Sequence, residues 1–181
     1  IKIRESLMEK LKSAGVTRVD VERLPKTINI QITVSRPGVV IGRGGSGLEE
    51  IKKHILKIIS DIRKKSVKDL KIDIRVAEVK NPEISAQLVA TRIAMDLERR
   101  IPHRRSVTKA IDRVMQSGAK GVKIVLSGRI AGAEISRVEK FKSGSVPSST
   151  LRKVIDYAEV PALTKRGYVG IKVYIHKENE D

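Results

Sequence analysis

Apolar and polar residues follow two different periods in the first eighty positions of the chain. The opening stretch RESLMEKLKSAG places apolar residues on one helical face and then reaches a glycine, which predicts a short helix that closes at Gly15. The next two stretches, VTRVDVERL and INIQITV, alternate apolar and polar residues with a period of two. This alternation predicts two half-buried strands with a short turn between them.

A glycine-rich segment separates these strands from a second helix. Pro37 and Gly38 interrupt the alternation, and the run IGRGGSG follows. In residues 48–62, apolar side chains recur at steps of three and four, which predicts an amphipathic helix. The stretch LKIDIRVAEV alternates again, so the predicted order is helix, two strands, glycine loop, helix and strand.

The rest of the chain predicts two helices followed by four strands. The stretch PEISAQLVATRIAMDLERRI has helical periodicity up to Pro102, and SVTKAIDRVMQSG predicts a helix that begins after Arg105 and stops at Gly118. Alternation predicts strands in GVKIVLSG, AEISRVEKF, LRKVIDYAEV and YVGIKVYIHK. Two helices on a four-stranded, mostly antiparallel sheet give the α+β fold class.

Asn81 and Pro82 mark the predicted boundary between two domains. Residues 1–80 form the first domain, residues 81–177 the second, and residues 178–181 an acidic tail. A length of 181 residues, 40% of them hydrophobic, supports two small cores better than one large core.

The chain carries a strong positive charge, with 38 Lys and Arg against 21 Asp and Glu and a formal net charge of +17. A field of this size attracts polyanions, and self-repulsion opposes the compact state unless a partner neutralises it. Nucleic acid is the predicted partner, since no apolar run approaches the roughly 20 residues of a membrane span. The lack of cysteine excludes disulfides and thiolate metal sites. Because only four aromatic residues occur, contacts to the nucleic-acid backbone are expected to dominate over base stacking.

The glycine run differs from two nucleotide-binding motifs, the Walker A loop and the dinucleotide fingerprint, in sequence or in context. A Walker A loop requires Lys and then Ser or Thr after its last glycine, whereas Gly47 is followed by Leu48 and Glu49. Residues 42–47 satisfy the dinucleotide fingerprint as a pattern, but that fingerprint should follow its strand immediately. Here Pro37 and several other residues intervene, so the context disagrees with a dinucleotide site.

A third template, the RNA-binding KH loop, fits the spacing of the glycines. Gly42 and Gly45 enclose two variable positions, as in the GXXG turn that clamps the backbone of about four nucleotides. Glycines let the main chain approach a phosphodiester, and amides at the start of the next helix point donors at it. With two strands before it, the loop resembles that of the prokaryotic, type II KH fold. The RNA-binding residues predicted here are Arg36, Gly42, Arg43, Gly44, Gly45 and Lys52.

A second basic segment lies at the junction of the two helices predicted in the second domain. Residues 99–142 contain twelve basic and three acidic residues, compared with eight and three in residues 36–65. Five of the twelve cations fall within RRIPHRRSVTK, on both sides of Pro102. Because the proline fixes the local geometry, these cations are predicted to follow a nucleic-acid backbone and pair with its phosphates.

Three further motifs extend a family resemblance over essentially the whole chain. They are GAKGVKIVLSGRIAGAEISR, GSVPSSTLRKVIDY and GYVGIKVYI. Together with the KH loop they resemble the ribosomal protein S3 family. The resemblance implies a structural constituent of the small-subunit head, cytoplasmic and in the ribosome, that binds ribosomal RNA and lines the channel where messenger RNA enters. Neighbouring ribosomal proteins of the head and of that channel are implied partners.

The resemblance also implies roles for individual side chains. In the family, two arginines and a nearby lysine face the entering message and are linked to its unwinding, and Arg104 and Arg105 match the arginines. Thr108 occupies the place of the lysine, and Lys109 follows one residue later. Two arginines of SGRIAGAEISR are similar to family contacts with ribosomal RNA, namely Arg129 and Arg137.

Two alternative functions remain open at this point. A free-standing KH protein that regulates messenger RNA would carry the same loop, and a nucleotide-dependent enzyme would use residues 42–47. No catalytic residue, cofactor, small-molecule substrate or metal site is predicted. The histidines His54, His103 and His176 lack ligand-like spacing and are expected at the surface. Any unwinding would therefore be passive, with cations holding strands that the ribosome pulls apart.

Overall fold

The computed structural model divides into two units, Ile1–Lys80 and Asn81–Asp181, each with its own hydrophobic core. The structure describes residues 2–11, 14–24, 27–63, 71–79, 81–150 and 152–177. The predicted acidic tail, residues 178–181, lies outside the described residues.

The first unit combines three helices with a three-stranded sheet. Its elements are α1 (Lys2–Lys10), β1 (Val16–Arg23), β2 (Thr27–Val34), α2 (Pro37–Ile41), α3 (Ser46–Arg63) and β3 (Lys71–Glu78). In the sheet order β1-β2-β3, the central strand pairs antiparallel with β1 and parallel with β3. Every second residue of β2 is buried, and these residues pack with Leu7 of α1 and with Ile51 and Ile55 of α3. One face of the sheet is thus covered by helices.

A short helix follows β2 where the sequence pattern predicts only a break. Pro37 occupies the first turn of α2, where its missing N–H costs no hydrogen bond. Pro37 and Gly38 do end the alternation, since β2 stops at Val34, but the loop expected there was wrong for Pro37–Ile41, because proline begins a helix here. As a result, the glycine run lies between two helices, α2 and α3.

The second unit places two helices on one face of a four-stranded sheet. Its elements are α4 (Ala86–Glu98), α5 (His103–Gln116), β4 (Gly121–Gly128), β5 (Arg137–Gly144), β6 (Ile155–Thr164) and β7 (Gly167–His176). The strand order is β5-β4-β7-β6, and all neighbours are antiparallel. Alternate residues of β4, β6 and β7 are buried against Val89, Ile93 and Val107 of the helices. The predicted α+β class, with a two-helix, four-stranded antiparallel domain in the second half of the chain, is confirmed.

Several element boundaries in the second unit differ from the predicted ones; β6, for example, spans Ile155–Thr164 instead of residues 151–160. α5 begins at His103, directly after Pro102, so Arg104 and Arg105 belong to the helix instead of preceding it. The cause is the fixed φ of proline, which favours a helix start at the next residue. β5 begins only at Arg137, because the segment after β4 first forms a separate helical turn.

Side-chain hydrogen bonds fix α4 against its neighbours. Asp156 of β6 accepts a hydrogen bond from the backbone N–H of Ala86 at 3.1 Å, which satisfies one free donor at the start of α4. Ser106 of α5, only 3% exposed, donates to Asp96 Oδ2 at 2.6 Å. These contacts hold α4 on the sheet and α5 beside α4.

A bidentate ion pair holds the segment that precedes α4. Arg92 donates from its two terminal nitrogens to Glu83, at 2.6 and 2.9 Å. These hydrogen bonds lower the pKa of the Glu83 carboxyl below its ordinary value of 4.5. The charged form of Glu83 is therefore the one that the folded unit stabilises.

Candidate nucleic-acid interface

The glycine turn, residues 42–47, connects the end of α2 to the start of α3. Gly42, Gly44 and Gly45 have φ angles of +70°, +61° and +84°. Side chains strain the backbone in this left-handed region, so the path of the turn favours glycine at all three positions. The Gly42 N–H donates to Gly38 O at 3.0 Å and closes the last turn of α2.

Two glycines lie on the inner side of the glycine turn. A Cβ atom at Gly47 would lie 2.4 Å from the carbonyl oxygen of Val40. A Cβ atom at Gly42 would lie 2.9 Å from the backbone nitrogen of Gly47. These distances are too short for non-bonded atoms, so the two glycines allow the end of α2 to pack directly on the start of α3.

The other two glycines lie on the outer side of the glycine turn. A Cβ atom at Gly44 or Gly45 would meet no atom of the described residues within 4 Å. A phosphodiester can approach the main chain there without steric hindrance, and the amides at the start of α3 supply partial positive charge. The outer side of the turn is therefore suited to a phosphate group.

Three predicted cations occupy separate elements around the glycine turn. Arg36 directly precedes α2, Arg43 lies within the turn, and Lys52 lies in the second turn of α3. The side chains of Arg36 and Lys52 are exposed, and neither forms an ion pair within the described ranges. The side chain of Arg43 lies outside the described part of the structure, so its contact with RNA stays a prediction.

The chain reverses direction between α4 and α5 in a tight corner, residues 99–102. Arg100 has a φ of +61°, a left-handed conformation that glycine usually adopts at the end of a helix. The N–H groups of Arg100 and Ile101 donate to carbonyls of the last turn of α4, both at 3.0 Å. A non-glycine residue is disfavoured in this conformation by about 1–2 kcal/mol. Arg100 therefore lowers the stability of this corner relative to a glycine at the same position.

The arginine face of α5 is formed by Arg104, Arg105 and Lys109, which are all exposed. Ser106 and Val107, on the opposite side of the helix, are 3% and 0% exposed. In the described residues, no ion pair or hydrogen bond involves the side chains of the arginine face. These cations are therefore free to bind a polyanion.

The start of α5 is unfavourably charged for a helix. Arg104 and Arg105 are its second and third residues, and its first turn has no acidic residue and no side-chain cap. Cations at this end oppose the helix dipole by about 0.3–1 kcal/mol each. A bound anion would interact favourably with the arginines and with the free amides together. The charges at this end of α5 therefore favour the binding of an anion and lower the stability of the helix when no anion is bound.

Lys109 and Thr108 occupy different positions around α5. At about 100° per residue, the order around the helix is Arg104, Thr108, Arg105 and Lys109, over a span of about 140°. Thr108 thus lies between the arginines, and Lys109 lies about 40° beyond Arg105. Lys109 extends the arginine face to one side instead of completing its centre.

A cleft of about 570 Å³ lies at the start of α5, where Pro102 and His103 line it. The other side chains that line it include apolar residues and four cations. The cations are Arg100, Arg129, Lys165 and Arg166. Sequence reasoning missed Lys165 and Arg166, which lie in the turn between β6 and β7. No local pattern could have identified them, since only the strand order brings that turn beside α5.

Arg129 and Arg137 are partly engaged by their own unit. Arg129 Nε donates to Ala133 O at 2.8 Å and stabilises the turn after β4. Arg137 Nε lies 3.0 Å from Glu139 Oε1, and Glu139 Oε2 lies 3.0 Å from His103 Nε2. Among the described residues, no hydrogen bond involves the terminal nitrogens of the two arginines. Their contact with ribosomal RNA stays a prediction.

The three histidines make contacts within their own units. His54 Nε2 is hydrogen-bonded to Ser6 Oγ at 2.8 Å, and His176 Nδ1 lies 2.9 Å from Ser145 O. His176 is only 5% exposed, so its predicted surface position was wrong. The cause is the segment after β5, which folds over this end of β7. In the described part of the chain, no cluster of three or more acidic or histidine side chains could hold a metal ion.

No helix in the described ranges is both long enough and apolar enough to cross a bilayer.

Two family models match the chain in succession. Residues 2–84 match the KH domain, and residues 93–175 match the C-terminal domain of ribosomal protein S3. The two models together cover most of the sequence, and each falls mainly within one of the two structural units.

Individual relatives match nearly the whole chain. The small ribosomal subunit protein uS3 of Clostridium novyi (strain NT) is 44% identical over 97% of this chain and 76% of its own length. The protein of the same name from Caldanaerobacter subterraneus subsp. tengcongensis is 44% identical over 98% of this chain and 76% of its length. The one from Desulforamulus reducens is 42% identical over the same shares.

Proposed function

The chain belongs to the ribosomal protein S3 family, and on that premise we propose that it holds RNA at two surfaces within the small ribosomal subunit. The arginine face of α5 lines the channel through which messenger RNA enters. The outer side of the glycine turn binds the backbone of single-stranded RNA. Small-subunit ribosomal RNA and neighbouring proteins of the head hold the chain in place.

The free cations of α5 carry this proposal. Arg104 and Arg105 match the two arginines that face the message in the family, and both are exposed without a carboxylate partner in the described residues. They also lie in the first turn of the helix, where the helix dipole repels cations. A bound RNA phosphate would offset this repulsion. A surface that served only folding would be expected to pair these charges.

The mechanism that these residues support is electrostatic capture. Each phosphate that a cation neutralises releases condensed counterions, which favours the bound single strand over its return to a duplex. Arg104 and Arg105 would hold the strand while the ribosome moves the message. The role is structural, and the chain performs no chemical step on the RNA.

Sedimentation tests the assignment to the ribosome. In a lysate of cells that express a tagged copy of the chain, we expect the tag to travel with small subunits in a sucrose gradient. A free-standing KH regulator would remain mainly in the light fractions. Tight, stoichiometric uptake of NAD or ATP in equilibrium dialysis would instead favour the nucleotide-dependent alternative.

Translation of a structured message tests the role of the arginine face. Small subunits that contain Arg104→Ala,Arg105→Ala should translate a message with a stable downstream hairpin more slowly, and an unstructured message at the normal rate. Arg152→Ala,Lys153→Ala removes the same charge from exposed positions outside α5 and serves as the matched control. Equal rates for both variants on the hairpin message would contradict the proposed position of the arginine face.

A further inference from the structure

The outward face of the sheet in the second unit carries all three tyrosines of the chain. Alternate residues of β4, β6 and β7 point inward to α4 and α5 and are buried, so the residues between them point outward. In β5, Lys140 and Lys142 are the register partners of outward residues of β4 and share their face. We name this outward surface the tyrosine face. The aromatic and charged residues at its outward positions are Lys123, Lys140, Lys142, Tyr157, Glu159, Tyr168, Lys172 and Tyr174.

One row of the tyrosine face crosses all four strands. Lys142, Lys123, Tyr174 and Tyr157 are successive register partners on β5, β4, β7 and β6. At the usual strand spacing this row spans about 14 Å. Its aromatic half thus lies on β6 and β7, and its cationic half on β4 and β5.

The side chains of this row are already arranged for stacking. The ring centroids of Tyr157 and Tyr174 lie 4.9 Å apart, with an angle of 42° between the rings. Lys123 Nζ lies 5.3 Å from the centroid of Tyr174, a distance at which a cation interacts with the ring. Tyr157 is 48% exposed, so part of its ring surface remains accessible.

The charge of the tyrosine face favours a polyanion. Four lysines stand at its outward positions, and Glu159 is the one acidic residue among the outward positions of the four strands, all of which the structure describes. Glu159 lies 3.7 Å from Lys172, so it neutralises part of that lysine's charge. Lys140 and Lys142 are exposed and form no ion pair in the described residues.

We propose that the tyrosine face binds a segment of single-stranded RNA, with bases stacked on Tyr157 and Tyr174. Lys123, Lys140 and Lys142 would contact the phosphates of the same segment. Sheets that present aromatic rings beside cations are a general platform for unpaired bases, whereas a duplex offers no free base faces. Tyrosine is common at protein interfaces as well, but lysine is depleted in their cores, so the four lysines favour RNA over a protein occupant. This site is separate from the glycine turn and from the arginine face.

Tyrosine ring signals in NMR spectra test the proposal directly. The chain has three tyrosines and no tryptophan, so the ring signals report on this face. The full chain, with ¹³C-labelled tyrosine rings, is titrated with a uridine-rich single strand of about 12 nucleotides and then with a duplex of that length. We expect the Tyr157 and Tyr174 signals to shift with the single strand only. Unchanged signals at saturation would overturn the proposal, because the RNA would then bind elsewhere.

Substitutions separate stacking from charge. Tyr157→Leu,Tyr174→Leu should weaken single-strand binding by about tenfold or more and leave its salt dependence unchanged. Tyr168→Leu is the matched control, since Tyr168 lies about 20 Å further along β7, and should change the affinity less than about twofold. Lys140→Gln,Lys142→Gln should lower the slope of log K against log salt by about 1.4.

Two further outcomes of these experiments would overturn the proposal. One is a folded Tyr157→Leu,Tyr174→Leu variant that binds as tightly as the parent chain. The other is a ring shift caused by a purified neighbouring ribosomal protein but not by RNA, which would assign the face to a protein contact. If the double variant fails to fold, the ring signals of the parent chain decide the question.

Discussion

The glycine turn and the arginine face are suited to RNA by opposite means. The glycine turn removes side chains, so that Gly44 and Gly45 leave the main chain open to a phosphate. The arginine face extends long side chains from a helix and leaves them unpaired. Binding through amides requires a fixed backbone, whereas binding through cations requires that nearby carboxylates be engaged elsewhere.

This difference determines how each surface should respond to mutation and salt. The glycine turn depends on shape, because added atoms on its inner side collide with the backbone of α2. The arginine face depends on charge, because its side chains are exposed and form no ion pair in the described residues. Substitutions in the turn should therefore affect folding most, and substitutions on the helix should affect salt-dependent binding most.

The largest expected effect is the loss of stability in Gly47→Ala. The added Cβ would lie 2.4 Å from Val40 O, so α2 must move away from α3 at a cost of about 3 kcal/mol. Hydrogen exchange of the β2 amides measures the free energy of unfolding of the first unit. Gly38→Ala is the matched control, since a Cβ atom at Gly38 would meet no described atom within 4 Å. This substitution should stabilise α2 slightly, because alanine loses less conformational entropy in a helix than glycine does. Equal protection in both variants would contradict the packing role of Gly47.

Gly44→Asp should weaken RNA binding while the first unit stays folded. A carboxylate on the outer side of the glycine turn would repel the phosphate, and we expect about a tenfold loss of affinity for single-stranded RNA at low salt. Gly44→Asn is the matched control, because asparagine has the same shape, tolerates the left-handed conformation and carries no charge. If both variants bind like the parent chain, the turn has no role in binding.

Arg104→Ala,Arg105→Ala should lower the salt dependence of single-strand binding. If each arginine neutralises one phosphate, the slope of log K against log salt falls by about 1.4. The stability of the second unit should stay the same or rise by up to about 2 kcal/mol, because the helix dipole no longer opposes two cations. A clear loss of stability would indicate a structural role instead.

Thr108→Lys tests the same surface by gain of function. A lysine between the two arginines should increase the salt slope by about 0.7. Asp112→Asn raises the charge of α5 by one unit at another exposed position, so it controls for net charge. Equal increases in the two variants would mean that only the total charge of the helix matters.

The smallest expected effect concerns the ion pair that precedes α4. Glu83→Gln should destabilise the second unit by at most about 1 kcal/mol at neutral pH, because both partners are more than a third exposed. The folded state lowers the pKa of Glu83, so the contribution of the pair is present above pH 4.5 and is lost as the pH falls through the lowered pKa. The melting temperatures of the parent chain and the variant should therefore converge as the pH is lowered. A difference that persists in acid would contradict the assigned cause.

The sequence was most informative where a conformation demands a residue type. The spacing of Gly42 and Gly45 predicted the turn, since few other residues adopt its dihedral angles. The same reasoning misread Pro37, because proline can begin a helix as readily as it ends regular structure. Local sequence did not distinguish the two cases.

Surfaces assembled from several strands were out of reach of the sequence. Alternation predicted the strands that contain Tyr157 and Tyr174, but only the strand order β5-β4-β7-β6 places these tyrosines beside each other and beside Lys123. The scarcity of aromatic residues predicted little base stacking, although all three tyrosines lie on one surface. The cleft cations Lys165 and Arg166 were missed for the same topological reason.

The contact between Gly47 and the end of α2 has a practical consequence for protein engineering. A five-residue helix is too short to form by itself in water, so α2 depends on its packing against α3. A graft of the GXXG tetrapeptide alone into another scaffold would therefore lose its geometry. A transplant that keeps residues 37–51 together would carry the supporting helix, both inner glycines and the buried Ile51 with it.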